Sequence, residues 1–150
     1  QMLDWAEMQT RSLGGDLLEL YCGNGLFSLA LAHNFGRCLA TELSGDSVDV
    51  ARSNAKRNGI PNVDILQMDS STVSRKLQKP HAVLEDGRTT VCGSDYNFRT
   101  ILVDPTRDGL DAGTRELIES FDNVVYISCD ARTLARDLGL LSGTHELRSF

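Results

Sequence analysis

The chain has 150 residues, 41% of them hydrophobic and 24% charged, a composition that suits one domain with a real core and excludes a disordered or fibrous chain. Fifteen Lys and Arg against 21 Asp and Glu give a formal charge of −6, which excludes the broad basic footprint of an autonomous nucleic-acid binder and leaves any RNA to be gripped locally or by another segment. No apolar run approaches the roughly 18 residues of a membrane span, and the opening "QMLDWAEM" has no basic start, apolar stretch or cleavage site, so neither a membrane protein nor a secreted one is expected.

In chain order, "DLLELY" (16–21) is a nearly continuous apolar run that closes on "CGNG", and "LFSLALAHNF" (26–35) follows with helix-favouring residues. That reads as strand, glycine turn, helix. "RCLATE" (37–42) gives a second strand, and "SGDSVDVARSNAKRNG" (44–59) a helix with a Ser or Asp cap and Gly59 as its stop before Pro61. "VDILQM" (63–68) makes a third strand, with a short helix around 71–77. Residues 78–98 are polar and without period, which predicts a long loop placed to cover a site. "RTILVD" (99–104) runs into "PTRDGLD", then come a helix near 112–121, the strand "NVVYISC" (123–129) and a helix near 132–141. The final "HELRSF" reads as a strand just beginning, and with Gln1 in place of Met it predicts a piece of a longer protein.

Strands joined by helical crossovers predict one α/β domain over 1–150, an open, mostly parallel sheet with helices on both faces. Ligands of such sheets bind at the carboxyl ends of the strands. Tyr21 to Gly25, Glu42, Asp69, Asp104 to Arg107 and Cys129 all fall on that edge. The four cysteines, Cys22, Cys38, Cys92 and Cys129, contain no C-x-x-C pair, so no metal site is expected. Reduced thiols fit a cytoplasmic compartment, with nucleus and organelles left open, and a monomer is expected.

With 13 glycines a G-x-G arises about once by chance, so the "GNG" of Gly23 and Gly25 carries weight through its place directly after strand one. There it lets backbone N–H groups and a helix N-terminus approach a ligand. Glu42, ending strand two, stands where nucleotide-type sites keep the acid that takes ribose hydroxyls. A dinucleotide site wants a third glycine where Ser28 stands, and Glu19 lies inside strand one. Glu19-x-Tyr21-x-Gly23-x-Gly25 resembles instead the first motif of S-adenosylmethionine-dependent methyltransferases.

"DLLELYCGNGLFSLALA", "CLATEL", "ILVDPTRDGLD" and "VVYISCDARTL", in this order, resemble the tRNA uracil-5-methyltransferase family over nearly the whole chain. The resemblance implies a Rossmann-like class I methyltransferase fold, incomplete at its C-terminal end, with S-adenosylmethionine as cofactor and C5 of a uridine in the tRNA T-loop as target. It implies Tyr21, Gly23, Gly25, Glu42 and Asp104 around the cofactor, joined by Asp69 on the same edge. It further implies Asp104 at the substrate as well and Cys129 as the nucleophile, and Arg107, near them on the same edge, is expected to contact the substrate. The chemistry needs a thiolate: uracil C5 is a poor nucleophile until sulfur adds to C6 and places enolate density on C5, which then attacks the sulfonium methyl. A base afterwards removes the C5 proton; the resemblance places that glutamate beyond Phe150, and an RNA-binding part upstream. Arg107 and Arg132 are candidate phosphate ligands. Thr106, Asp130 and Leu26 depart from the family pattern and motivate a second reading, a degenerate adenosylmethionine-binding or RNA-binding module without catalysis. A methyltransferase acting on another atom, or a dinucleotide enzyme, is the third.

Overall fold

The computed structural model describes residues 1–78 and 87–150. The elements are α1 (Met2–Thr10), β1 (Asp16–Leu20), α2 (Leu26–Leu31) with a 3-10 turn (Ala32–Asn34), β2 (Cys38–Glu42), α3 (Gly45–Arg57), β3 (Val63–Gln67) and α4 (Ser70–Leu77), then β4 (Thr89–Val91), β5 (Ser94–Tyr96), β6 (Phe98–Val103), α5 (Ala112–Ile118), β7 (Asn123–Tyr126) and α6 (Ala131–Leu141). Five strands form one parallel sheet in the order β3-β2-β1-β6-β7.

Every residue of β1 is buried, as a central strand covered on both faces requires. Leu18 and Leu20 pack with Val73 of α4, Leu117 and Ile118 of α5 and Leu141 of α6. Leu17, pointing the other way, packs with Ala6 of α1 and Phe27 and Leu31 of α2. Helix α3 sets Val48 and Ala51 against Ala40 and Ile65. Each fully buried leucine contributes about 1.5–3 kcal/mol of transfer free energy. Helices thus cover both faces, as the alternating pattern predicts.

Three expectations need correction. The strand expected over 123–129 ends at Tyr126, where pairing with β6 stops at Val103; Cys129 therefore lies in the connection to α6. The tail 145–150 pairs with no strand among the described residues, because a strand exists only with a partner. The loop expected over 78–98 falls partly on 79–86, outside the described residues, but β4 and β5 pair there as an antiparallel hairpin. Its turn residues Cys92 and Gly93 have φ of 49° and 84°, the pattern of a tight primed turn that the short strands hid from any periodicity.

That hairpin does not cover the carboxyl edge. Tyr96, 1% exposed, stacks on Phe98 and donates its hydroxyl to Asp64 at 2.6 Å, while the Arg37 guanidinium lies 4.7 Å over its ring. Arg37 and Asp64 stand at the amino ends of β2 and β3, so the hairpin closes the opposite edge of the sheet.

The same edge is fastened by Asp16, whose carboxylate accepts the N–H groups of Arg37 and Asn97, each at 2.7 Å. Asp16→Ala leaves both without this partner and is expected to destabilise the fold by about 1–3 kcal/mol in urea unfolding, with ligand binding at the far edge unchanged. An unaltered unfolding midpoint would show that the staple carries no stability.

Candidate active site

Strand β1 lies between β2 and β6, so the connections leaving β1 and β6 run to opposite sides and a crevice opens between their carboxyl ends. Tyr21 leaves β1 with φ of 62°, followed by Gly23 at 54° and Gly25 at 86°. At Gly23 a Cβ would meet nothing within 4 Å, so the backbone angle demands glycine and the turn keeps an open face. At Gly25 a Cβ would press on Leu29 at 3.2 Å and Ala51 at 3.3 Å, where α2 and α3 approach. The Tyr21 hydroxyl lies 3.5 Å from that of Thr114.

Glu42 ties this turn to the next connection: its carboxylate accepts the Gly23 N–H at 3.0 Å and the Ser44 N–H at 2.9 Å. A carboxylate has about four acceptor directions, so further donors find room. Beneath the turn, Glu19 is 1% exposed and accepts the Ser28 N–H at 2.8 Å. Burial pushes its pKa up to about 8 against the opposing hydrogen bonds from Ser28, with the nearby charge of Asp104 adding to the rise.

Asp104 follows β6 and accepts no hydrogen bond among the described residues; partial burial raises its pKa. Asp69 behaves differently. Its carboxylate caps α4, accepting from the Ser71 hydroxyl and from the Thr72 hydroxyl and N–H, and these bonds hold its pKa well below the usual carboxylate range. The acid at the end of β3 is thus engaged within its own helix.

On the other side of Asp104, an open groove of about 630 Å³ is lined by Arg107, Asp108, Cys129, Asp130, Arg132 and Arg136. Arg107 is exposed and has no hydrogen bond or ion pair among the described residues. Asp130 caps α6, accepting the Arg132 N–H at 2.8 Å and pairing with its guanidinium at 3.1 Å; these contacts with Arg132 lower its pKa. The carboxylate next to Cys129 is therefore offset by its own helix.

The four thiols sort by place. Cys22 and Cys38 are buried, and burial pushes both up to about 12, which leaves them inert. Cys92 is exposed in the hairpin turn. Cys129 is the thiol that is both exposed and on the carboxyl edge. The expected residues thus fall into two groups: Tyr21, Gly23, Gly25 and Glu42 around the glycine turn, and Arg107 with Cys129 across the groove. Asp104 stands between them because β6 stands between β1 and β7.

Asp137 of α6 was not anticipated. It is fully buried and accepts the Leu110 N–H at 2.9 Å and the Tyr126 hydroxyl at 2.8 Å. Its signal was an acid four residues before Leu141 on the inward face of a helix. The Thr106 carbonyl accepts the Gly109 N–H at 2.9 Å, which closes a turn in the loop after β6.

An open parallel sheet with a glycine turn at its order reversal is a Rossmann-like arrangement, and its likeness to solved structures makes it the class I methyltransferase fold. The crystal structure of Pyrococcus abyssi tRNA (uracil-54, C5)-methyltransferase in complex with S-adenosyl-L-homocysteine shares it, with a TM-score of 0.67 and 20% identity over 93% of this chain and 31% of that one. A model of the tRNA (uracil-5-)-methyltransferase family matches residues 1–150, and the chain belongs to that family. It is 47% identical to the tRNA/tmRNA (uracil-C(5))-methyltransferase of Psychromonas ingrahamii and 49% identical to that of Cellvibrio japonicus, covering all of this chain and 40% of each relative. The chain spans about two fifths of the length of these curated relatives. Among the described residues no helix is long and apolar enough to cross a membrane.

Glu19 generates a pH dependence. Unfolded, it ionises near 4.5; folded, near 8. The folded state therefore holds an extra proton between those values, and the stability this lends is complete below 4.5 and is lost as pH rises to about 8. Unfolding free energies from urea titrations should fall across this window with a slope of up to about 1.4 kcal/mol per pH unit, and Glu19→Gln should remove that part of the fall. Equal slopes in both proteins would exclude Glu19 as the source.

Proposed function

We propose that this chain is the catalytic part, incomplete within 1–150, of an RNA methyltransferase that moves a methyl group from S-adenosylmethionine to C5 of a uridine in the tRNA T-loop through a Cys129 Sγ–C6 bond. The observation that carries the reading is the exposed Cys129 thiol facing an arginine-bearing groove, with Asp104 between it and the glycine turn. We assign Tyr21, Gly23, Gly25, Glu42 and Asp104 to the cofactor, and Asp104 and Arg107 to the substrate; Asp69, expected with the cofactor group, has its carboxylate taken up by Ser71 and Thr72.

The residues present fit that cofactor. Gly23 offers an open face, Glu42 retains acceptor directions for hydroxyls, and Leu26 and Leu43, 56% and 68% exposed, supply apolar surface at the same edge. Asp104, with no hydrogen-bond partner among the described residues, suits a ligand bearing a cationic centre. When bound, the cofactor supplies an electrophilic sulfonium methyl group.

Cys129 stands two residues before Ala131, the first residue of α6, so its thiol borders the groove at the helix start. The sulfur adds to C6, and the displaced electron pair passes to C5 and the adjoining carbonyl as an enolate. Asp104 is an acceptor available to an N–H or hydroxyl of either ligand, and Arg107 is a donor available to substrate oxygens. Loss of the C5 proton to a base beyond Phe150 then lets the C6–S bond break and returns the thiolate. With a net charge of −6, RNA must be held largely by sequence outside this chain. We place the reaction, carried out by a monomer, in a reducing, cytoplasmic compartment. A non-catalytic module finds less support, since the Asp130 carboxylate is turned to its own helix.

The test uses the intact natural protein with T-loop RNA. Cys129→Ala should abolish methyl transfer while Cys92→Ala leaves its rate unchanged, and Glu42→Ala should weaken adenosylmethionine binding by about tenfold or more, a loss of about 1.4 kcal/mol. Methylation at the normal rate in Cys129→Ala, or NAD bound in place of adenosylmethionine, would contradict the proposal.

A further inference from the structure

The loop 104–110 that carries Asp104 and Arg107 is fastened to α6 by a compact polar cluster. Asp137 accepts the Leu110 N–H at 2.9 Å and the Tyr126 hydroxyl at 2.8 Å and pairs with Arg136 at 2.8 Å. Arg136 in turn donates to the Asp108 carbonyl at 2.9 Å. Gly109, with φ of 77°, rests directly on the Arg136 and Asp137 side chains, and a Cβ there would collide with both. Beyond the clamp, Arg115 of α5 donates to the Leu110 carbonyl.

We infer that Asp137 is a positioning residue, which through Leu110 and Arg136 fixes the Arg107 loop against α6 so that Arg107 and Cys129 border one groove. Three features carry this. Asp137 is fully buried, a place where a carboxylate persists only if its acceptors are filled. Its partners come from the loop, from the end of β7 and from α6, the three segments that frame the groove. Cys129 precedes the same helix, so any shift of the loop relative to α6 changes the separation of Arg107 from the thiol. Burial raises the Asp137 pKa, but the bonds from Leu110, Tyr126 and Arg136 outweigh it and keep the group charged.

The catalytic consequence rests on the reading of Cys129 as nucleophile, whereas the clamp does not, so two readouts are needed on the intact natural protein. Asp137→Asn keeps the shape and an acceptor for Leu110 but removes the charge that holds Arg136. Amide hydrogen exchange across 106–111 should then speed by about tenfold or more, with β1 and α3 unchanged. Single-turnover methyl transfer at saturating cofactor should slow by a similar factor, while KM for adenosylmethionine stays as in the wild type. Gly109→Ala disturbs the clamp from the loop side and should reproduce both effects, and the double variant should be less than additive because both changes break one contact set.

Unchanged exchange across 106–111 in both single variants would overturn the inference. So would additive losses, or a rise in KM that tracks lost thermal stability, for these mark a general weakening of the fold. A wild-type protein that methylates no uridine would overturn the functional reading alone, and the exchange measurement would still decide the clamp.

Discussion

Between β1 and β6 the order of the sheet reverses, and the site depends on that reversal. Because the strands of the sheet are parallel, all their carboxyl ends lie on one edge. The segment after β1 turns toward α2 and the β2 side, and the segment after β6 turns toward α5 and the β7 side. A crevice therefore opens with the glycine turn on one wall and the Asp104 loop on the other, and the groove that Cys129 borders lies beyond that loop. No single residue creates it; parallel pairing does, and parallel pairing is enforced by helices that bury Leu17 on one face and Leu18 and Leu20 on the other.

Burial of acids is the second theme, and the edge treats each one differently. Glu19 is the most deeply enclosed, with donors from Ser28 alone, and responds by holding its proton. Asp137 is likewise closed to solvent but less deeply enclosed, and the three donors around it keep it charged. Asp69 and Asp130 spend their charge on helix starts. Asp104, without a hydrogen-bond partner among the described residues, remains open to a ligand. Chemistry at the crevice is thus divided among carboxylates by how many donors the fold brings to each.

Much of this was legible beforehand. The runs at 16–21, 37–42 and 99–104 are continuous because both faces of each strand are covered, and the glycine turn announced itself by following the first of them. The hairpin was not legible: strands of three residues have no measurable period, and Cys92 in a left-handed turn position is an unusual choice where asparagine is the common signal. The engagement of Asp69 and the role of Asp137 were also hidden. A sequence shows that an acid precedes a helix or interrupts an apolar face, but the donors that fill its oxygens come from tertiary contacts. The exposure of Cys129 beside two buried thiols belongs to the same class, since all three cysteines flank apolar runs.

The central claim is that sulfur of Cys129 bonds to C6 of the target uracil. Its most direct measurement uses T-loop RNA with 5-fluorouracil at the target position, because fluorine at C5 leaves no proton for the final base and prevents release of the thiolate. Intact natural protein is incubated with this RNA and adenosylmethionine, digested, and the modified peptide sequenced by mass spectrometry. The expected species is the peptide containing Cys129 joined to a methylated fluorouracil nucleotide. An adduct on Cys22, Cys38 or Cys92, or methylated uridine in ordinary RNA with no adduct on any cysteine, would contradict it.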